Sequence, residues 1–285
     1  MPEKRKVLAI GAAGHFAGLV LPELAKRGAY VRGFIQKDAD REAVLQHGAR
    51  ETAVGDLRDP ASVEAALQGM DALFYIAPAF IADEGAVGRQ VVDAAVRAGV
   101  RRIVFSSVIH PTLGTLVNHR EKGPVEEAIF KSNVEYTILQ PAMFFQNFAQ
   151  GWAEVVKSGT YGEPWSAETR FSRVDYRDVA EVAAMALTED RLLYGTFELC
   201  SEGNLNRHDV AALMGKVLGR NIRAGTVDLD KTGGGKDAPP PPIRTMMDWY
   251  NHHGLLGSAL TLRAILGREP RTLEAYFEEL KATDA

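Results

Sequence analysis

The run from residue 6 to residue 18 constrains this chain more than any other. Lys6 leads into the apolar residues Val7, Leu8, Ala9 and Ile10, which break into Gly11, Ala12, Ala13, Gly14, His15, Phe16, Ala17 and Gly18. The apolar run suits a strand buried on both faces, as parallel strands are. Gly11 and Gly14 remove the side chains that would hold a backbone away from a bulky anion. From Phe16 the apolar positions Phe16, Leu19, Val20 and Leu24 recur at helical spacing, which predicts a helix beginning where the glycines end. Its first N–H groups and dipole would then face a pyrophosphate. The spacing Gly-x-x-Gly-x-x-Ala-Gly differs from Gly-x-Gly-x-x-Gly, with Ala17 as the small residue that lets helix approach strand. A strand, a glycine turn and a helix in this order predict dinucleotide binding over Gly11, Ala13, Gly14, His15 and Phe16; the alternative is a turn of purely structural purpose.

The rest of the first half repeats the alternation. Strands are expected at 30–35, 48–54, 72–77, 102–107 and 136–140, with helices at about 39–46, 60–68, 84–98 and 121–131. Pro60 opens the second of these helices, in a first turn where its missing N–H is no loss. The β-α-β-α order demands right-handed crossovers and a parallel sheet covered on both faces, an α/β Rossmann-type doubly wound domain over residues 1–158. Residues 159–285 form a smaller, mainly helical substrate-binding region, with segments near 170–200 returning to the sheet. There the expected helices are 144–156, 179–187, 209–218 and the stretch from Ile243 onward, with a loop at 161–165 and a strand at 195–200. The segment 233–242, rich in Gly and Pro, cannot build a core and is expected to be a surface loop.

Composition excludes several classes. A formal net charge of -4 over 285 residues offers no electrostatic reason to expect nucleic acid. Cys200 is the single cysteine, so no intramolecular disulfide forms. The apolar run at 7–10 is too short for a signal segment or a membrane span, and a cytoplasmic protein is the default expectation. His252 and His253 are adjacent and cannot share one helix face, and no other spacing suggests a metal site. A homodimer is the commonest closed assembly for a chain that associates.

The end of the second strand reads the cofactor's adenosine ribose. An acidic residue there accepts hydrogen bonds from a 2′-OH and repels a 2′-phosphate. Here Gln36 and Lys37 follow Ile35, and Asp38 comes one step later. That order favours NADP, with NAD as the alternative and Lys37 then a solvated loop lysine. Asp56 and Leu57, after the third strand, would bracket the adenine; otherwise Asp56 belongs to the turn ahead of Pro60.

Gly11, Ala12, Ala13 and Gly14 after an N-terminal strand, Gly55-Asp56-Leu57, and Phe105-Ser106-Ser107 resemble the short-chain dehydrogenase/reductase superfamily. The run from Lys122 through Gly123, Pro124, Val125 and Glu126 to Glu127 narrows this. So do residues 136–141, the run Phe144, Phe145, Gln146 and Asn147, and residues 266–272; these resemble the NmrA-like atypical branch. The likeness spans nearly the whole chain, with its motifs in the expected order. It implies NAD(P) binding, and either reduction of quinones and related substrates or redox-responsive regulation of a protein partner without turnover. It extends the cofactor path past Ala77 and Pro78 to Pro141 and Phe144, with Lys122 at the nicotinamide end.

The superfamily's usual acid is a tyrosine four residues before a lysine. Lys122 occupies the lysine position, but the tyrosine position holds Asn118. An amide has no acidic proton to give, so ketone–alcohol interconversion by the tyrosine route is not expected. Three candidates for chemistry remain. Lys122 either holds the nicotinamide ribose or acts as a base, or else forms a surface pair with Glu126 at i, i+4. Ser107 either bonds a substrate carbonyl or caps the chain, and His119 either supplies a proton near neutral pH or is an idle loop histidine. Reduction of a quinone or enone tolerates water as the proton source, so these small molecules are the favoured substrates. Phe144, Phe145, Trp152, Tyr161 and Trp165 would form a flat aromatic wall, with Asn147 among the substrate-binding residues; core packing is the alternative for the aromatics.

Overall fold

A computed structural model describes residues 5–78, 81, 83–227 and 240–283. Five strands alternate with helices through the first half: β1 (Lys6–Ile10), α1 (Val20–Lys26), β2 (Tyr30–Ile35), α2 (Arg41–Gln46), β3 (Glu51–Val54), α3 (Pro60–Leu67), β4 (Ala72–Ile76), α4 (Glu84–Arg97) and β5 (Arg102–Ser106). Next come α5 (Val117–Arg120), α6 (Gly123–Lys131) and β6 (Glu135–Pro141). After β7 (Met143–Phe144) follow α7 (Trp152–Ser158), β8 (Thr160–Glu163), β9 (Phe171–Val174), α8 (Tyr176–Thr188), β10 (Gly195–Leu199), β11 (Asn204–Leu205), α9 (Arg207–Leu218) and β12 (Arg223–Thr226). The chain closes with α10 (Pro241–Tyr250), α11 (Leu260–Leu266) and α12 (Leu273–Thr283).

The central sheet has seven strands in the order β10-β6-β5-β4-β1-β2-β3, and the pairings among β1 to β6 are parallel. This is the expected doubly wound α/β sheet. The chain leaves β1 for β2 on one side and returns to place β4 on the other, so the order reverses between β1 and β4. In such sheets ligands bind beyond the strand ends at that reversal. β1 is buried from Val7 to Ile10, as its unbroken apolar run requires. One face of the sheet packs on α3, α4 and α6 through Val63, Leu67, Val91, Val92, Val125 and Ile129. α8 packs on α1 and against β4 and β5, and its alanines let it lie close. Gly88 of α4 meets Val125 of α6 so closely that a Cβ would lie 2.3 Å from Val125 Cγ2.

Arg102 is 1% exposed and anchors the end of α8. Its guanidinium donates to Glu135 Oε2 at 2.9 and 2.8 Å, to Asp190 Oδ1 at 2.6 Å, and to the carbonyls of Ala186 and Glu189 at 3.1 and 2.7 Å. The cation thus satisfies orphan carbonyls at a helix C-terminus while neutralising two carboxylates.

The chain divides into two compact units, one of residues 1–112, 118–140 and 176–197, the other of 113–117, 141–175 and 198–285. The second unit carries more strand than its sequence suggests. β11, β9 and β7 form one small sheet, and β12 pairs in parallel with β8. The loop expected at 161–165 therefore contains a strand, because Thr160 to Glu163 gain their partners from residues 223–226, far along the chain. The helix expected at 144–156 resolves into β7, a 3₁₀ stretch over Phe145–Gly151 and then α7. Of the segment 233–242, residues up to 239 lie outside the described residues, and Pro241 and Pro242 open α10.

Candidate cofactor site and the second-unit cavity

The glycine turn follows β1 directly. Gly11 has φ +80°, open to glycine and costly for an L side chain, and a Cβ on Gly14 would lie 3.0 Å from the Gly11 carbonyl oxygen. The Gly14 N–H closes the turn on that oxygen at 2.7 Å, and Ala13, Gly14 and His15 are exposed. The helix starts later than the apolar spacing implies. A 3₁₀ turn over Ala17–Leu19 precedes α1 at Val20, and the ring of Phe16 packs 5.1 Å from that of Tyr176. Phe16 is held by an aromatic neighbour rather than by a first helical turn. A turn bare of side chains beyond Cβ at 11–14, and exposed at Ala13 and Gly14, fits a pyrophosphate.

Gln36 and Lys37 are exposed immediately after β2. Asp38 does not stand free: Arg41 Nε donates to its Oδ1 at 2.9 Å, and Arg41 Nη1 reaches Thr52 Oγ1 at 2.7 Å. Asp56 is exposed and carries a turn, its Oδ1 accepting from the Arg58 N–H at 2.9 Å, while Leu57 is half-buried against the core. The helix cap is Asp59, which accepts from the Ala61 N–H at 3.1 Å. Ala77 is buried and Pro78 exposed at the end of β4.

Lys122 is not a surface lysine. It is 7% exposed, at the N-terminus of α6, and its ammonium forms an ion pair with Glu84, the first residue of α4, which is 1% exposed. Nζ lies 5.9 Å from the centroid of the Phe105 ring, and Tyr75 stacks on that ring at 5.4 Å. Burial raises the Glu84 pKa and the Lys122 charge opposes the rise. Glu126, the expected partner of Lys122, instead accepts from Ser107 Oγ at 2.5 Å and from Gln140 Nε2 at 3.0 Å. The backbone spacing of an i, i+4 pair is present, with the Glu126 N–H on the Lys122 carbonyl, but the Lys122 side chain turns to α4. Ser107 is 6% exposed and has its one proton committed to Glu126.

His119 also departs from expectation. It is fully buried, its Nδ1 lies 3.2 Å from the His110 carbonyl oxygen, and burial lowers its pKa to about 4. A neutral imidazole is present at physiological pH, so His119 is no proton donor there. Four buried polar atoms of this unit make no hydrogen bond among the described residues: Tyr75 Oη, Glu84 Oε1, Asn118 Oδ1 and His119 Nε2; of these, Glu84 Oε1 is met by the Lys122 ammonium as an ion pair. Tyr176 Oη lies 3.0 Å from Ser106 Oγ, and burial pushes both tyrosine phenols well above their usual range.

The second unit contains its own cavity, of about 490 Å³, lined by Phe144, Asn147, Phe148, Tyr161, Trp165 and Arg173 among others. Tyr161 is 7% exposed, and burial, reinforced by Glu163, raises its phenol pKa. Arg173 lies 3.5 Å from Glu163 and 5.6 Å from the Phe148 ring centroid. Two of the expected wall residues belong to the core instead. Phe145 is 1% exposed and packs 5.9 Å from Tyr276, and Trp152 stacks on Phe277 at 5.5 Å. Pro141 is buried at the end of β6.

Sequence reading missed Glu84, Tyr75, Arg41, Arg173 and Glu163, and named Glu126 only as the alternative partner of Lys122. Glu84 was within reach: right-handed crossovers put α4 and α6 on one face of the sheet, so an acidic residue opening α4 is a candidate partner for a lysine opening α6. The others depend on pairings that no local spacing reveals. No cluster of three or more His, Cys, Asp or Glu suited to a metal occurs among the described residues, and none of their helices is long and apolar enough to cross a membrane.

Comparison with known proteins shows relatives of the chain and of its fold. An NAD(P)H azoreductase of Xenophilus azovorans is 27% identical over 226 residues, covering 79% of this chain and 78% of that protein. An NADPH-dependent quinone oxidoreductase of Escherichia coli, solved with NADPH, superposes with a TM-score of 0.84 at 21% identity, covering 97% of this chain and 99% of that one. A triphenylmethane reductase of Citrobacter sp. has the same TM-score of 0.84 at 20% identity and the same coverage, 97% and 99%. The model of the NmrA-like family matches residues 3–277, and the chain belongs to that family.

Proposed function

We propose that this protein is an NADPH-dependent oxidoreductase that reduces a quinone, an enone or a similarly activated carbonyl. One observation carries the reading: among the described residues, the candidate acids of the first unit are poorly acidic or already engaged. Asn118 stands in the tyrosine position, His119 is buried and neutral, Ser107 has donated to Glu126, and Tyr75 and Tyr176 are buried phenols with raised pKa. Such a site suits an acceptor whose reduced form is a stabilised anion that takes its proton from water. The azoreductase and quinone oxidoreductase activities named for similar proteins support the same class.

A bound nicotinamide supplies the hydride. The chain's residues do the rest. The turn at Gly11, Ala13 and Gly14 admits the pyrophosphate, Gln36 and Lys37 meet the adenosine ribose and its 2′-phosphate, and Asp56 and Leu57 flank the adenine. Lys122 donates hydrogen bonds to the nicotinamide ribose, while Ser107, with its proton on Glu126, offers lone pairs to an N–H or O–H donor. Asn147, Tyr161 and Trp165 are the second unit's candidates for contact with a flat acceptor.

NADPH consumption by the purified protein against a panel of quinones and enones tests the reading. Turnover is expected. Micromolar NADPH binding with no turnover across the panel overturns it in favour of a cofactor-sensing protein that acts through a partner.

A further inference from the structure

The Lys122–Glu84 pair is costly for what it contributes to the fold. Both side chains are more than nine-tenths buried, and taking two charges out of water costs several kcal/mol per ion. Well-packed apolar residues of the same volume serve stability equally well or better. The surroundings give the ammonium little other reason to be where it is: the Phe105 ring lies beneath it and Tyr75 stacks on Phe105. The backbone at this point is independently secured. The Lys122 N–H donates to the His119 carbonyl at 3.0 Å, and the Lys122 carbonyl accepts from Val125 and Glu126, each at 3.0 Å. Neighbouring Glu121, whose Oε1 pairs with Arg120, fastens the same two segments by a hydrogen bond, its Oε2 accepting from the Gly85 N–H of α4 at 3.3 Å. What the pair adds is a fixed position for Nζ, at the end of a stem with four rotatable bonds.

We infer that Glu84 is a positioning residue, whose carboxylate holds the Lys122 ammonium where it donates to the nicotinamide ribose. The inference rests on the cofactor role given to Lys122 above. An ammonium has three N–H donors, so one spent on Glu84 leaves donors for a ribose hydroxyl. The carboxylate at the start of α4 fixes the direction in which they point, and the aromatic floor prevents collapse to the other side.

The test uses the full-length protein and two readouts, NADPH affinity by fluorescence titration and stability by urea unfolding, on Glu84→Gln, Lys122→Met and the double variant. Each single change is expected to weaken NADPH binding about tenfold or more and to lower stability, since each leaves one buried charge without its partner. In the double variant stability is expected to recover while affinity stays at the level of Lys122→Met, because Glu84 acts only through the lysine. Unchanged affinity in Lys122→Met overturns the cofactor role of the lysine itself. Weakened binding in Lys122→Met beside wild-type affinity in Glu84→Gln overturns the positioning role and leaves a structural pair. Additive losses in the double variant overturn it as well. If Glu84→Gln does not fold, Glu84→Asp takes its place: it keeps the charge and withdraws the carboxylate by one methylene. Several-fold weaker binding is then expected, and wild-type affinity overturns the inference.

Discussion

Ser107 Oγ donates to Glu126 Oε1 at 2.5 Å, and the same carboxylate accepts from Gln140 Nε2 at 3.0 Å. A serine hydroxyl has one proton and two lone pairs, so Ser107 faces any ligand as an acceptor. Its removal therefore costs more in stability than in chemistry. Ser107→Ala leaves the buried Glu126 carboxylate short of one donor and is expected to destabilise by about 1–3 kcal/mol. Turnover with a quinone is expected to stay within about tenfold of wild type, a loss of about 1.4 kcal/mol or less in barrier terms. Urea unfolding and kcat/KM together decide it; a thousandfold loss of kcat at unchanged stability would make Ser107 a proton donor after all.

Tyr75 gives the reverse case. Its hydroxyl is buried without a partner among the described residues, while its ring stacks on Phe105 at 5.4 Å. Tyr75→Phe keeps the ring and removes a desolvated polar group, so the variant is expected to be more stable by about 1 kcal/mol. A lower unfolding midpoint would show that the hydroxyl has a partner in solution, such as a bridging water.

The sheet was legible because its strands are continuous apolar runs and its turns are spelled in glycine and proline. Val7 to Ile10 and Ala72 to Ile76 are apolar runs that demand burial, and the alternation with helices demands a parallel sheet, while the order of its strands was not legible. The glycine turn was legible for the same reason. Lys122 was found as a residue, with a surface pair to Glu126 as the alternative to a cofactor role; its partner Glu84 lies on another helix, where no i, i+4 rule reaches. The two small sheets of the second unit were invisible, since β8 pairs with residues more than sixty positions later and its four residues show no alternation of their own. Phe145 and Trp152 illustrate a further limit: an aromatic residue reads alike whether it lines a cavity or fills a core.

His119 supplies a pH signature. Burial lowers its pKa from 6.5 to about 4 in the folded protein, while the unfolded chain titrates near the ordinary value. Between these two pH values the unfolded state binds the extra proton, so stability rises with pH across the window. The contribution is fully present above about pH 6.5 and is lost as pH falls through about 4, on the order of 3 kcal/mol in all. His119→Asn places an amide N–H near the Nδ1 position and does not titrate. Its urea midpoint is expected to change less than that of wild type between pH 6.5 and pH 4, and equal slopes would refute the assignment.

Cofactor choice turns on the end of β2. Lys37 is exposed there, and the adjacent carboxylate of Asp38 accepts from Arg41 Nε at 2.9 Å. In the proposed site a 2′-phosphate would meet Lys37 and a carboxylate paired with Arg41, whereas a 2′-OH would find Asp38 engaged. Lys37→Glu reverses one charge and offers a free acidic acceptor, and is expected to lower the ratio of NADPH to NADH affinity about tenfold or more. Arg41→Ala should shift the ratio the same way by a second route, because it removes a cation and frees the Asp38 carboxylate. The wild-type preference should also shrink as salt is raised, since charges at an exposed strand end are screened over about 8 Å at physiological ionic strength. Fluorescence titration with both nucleotides at two salt concentrations checks all three. A ratio that neither substitution moves would place 2′-phosphate recognition elsewhere and leave Lys37 as a solvated lysine.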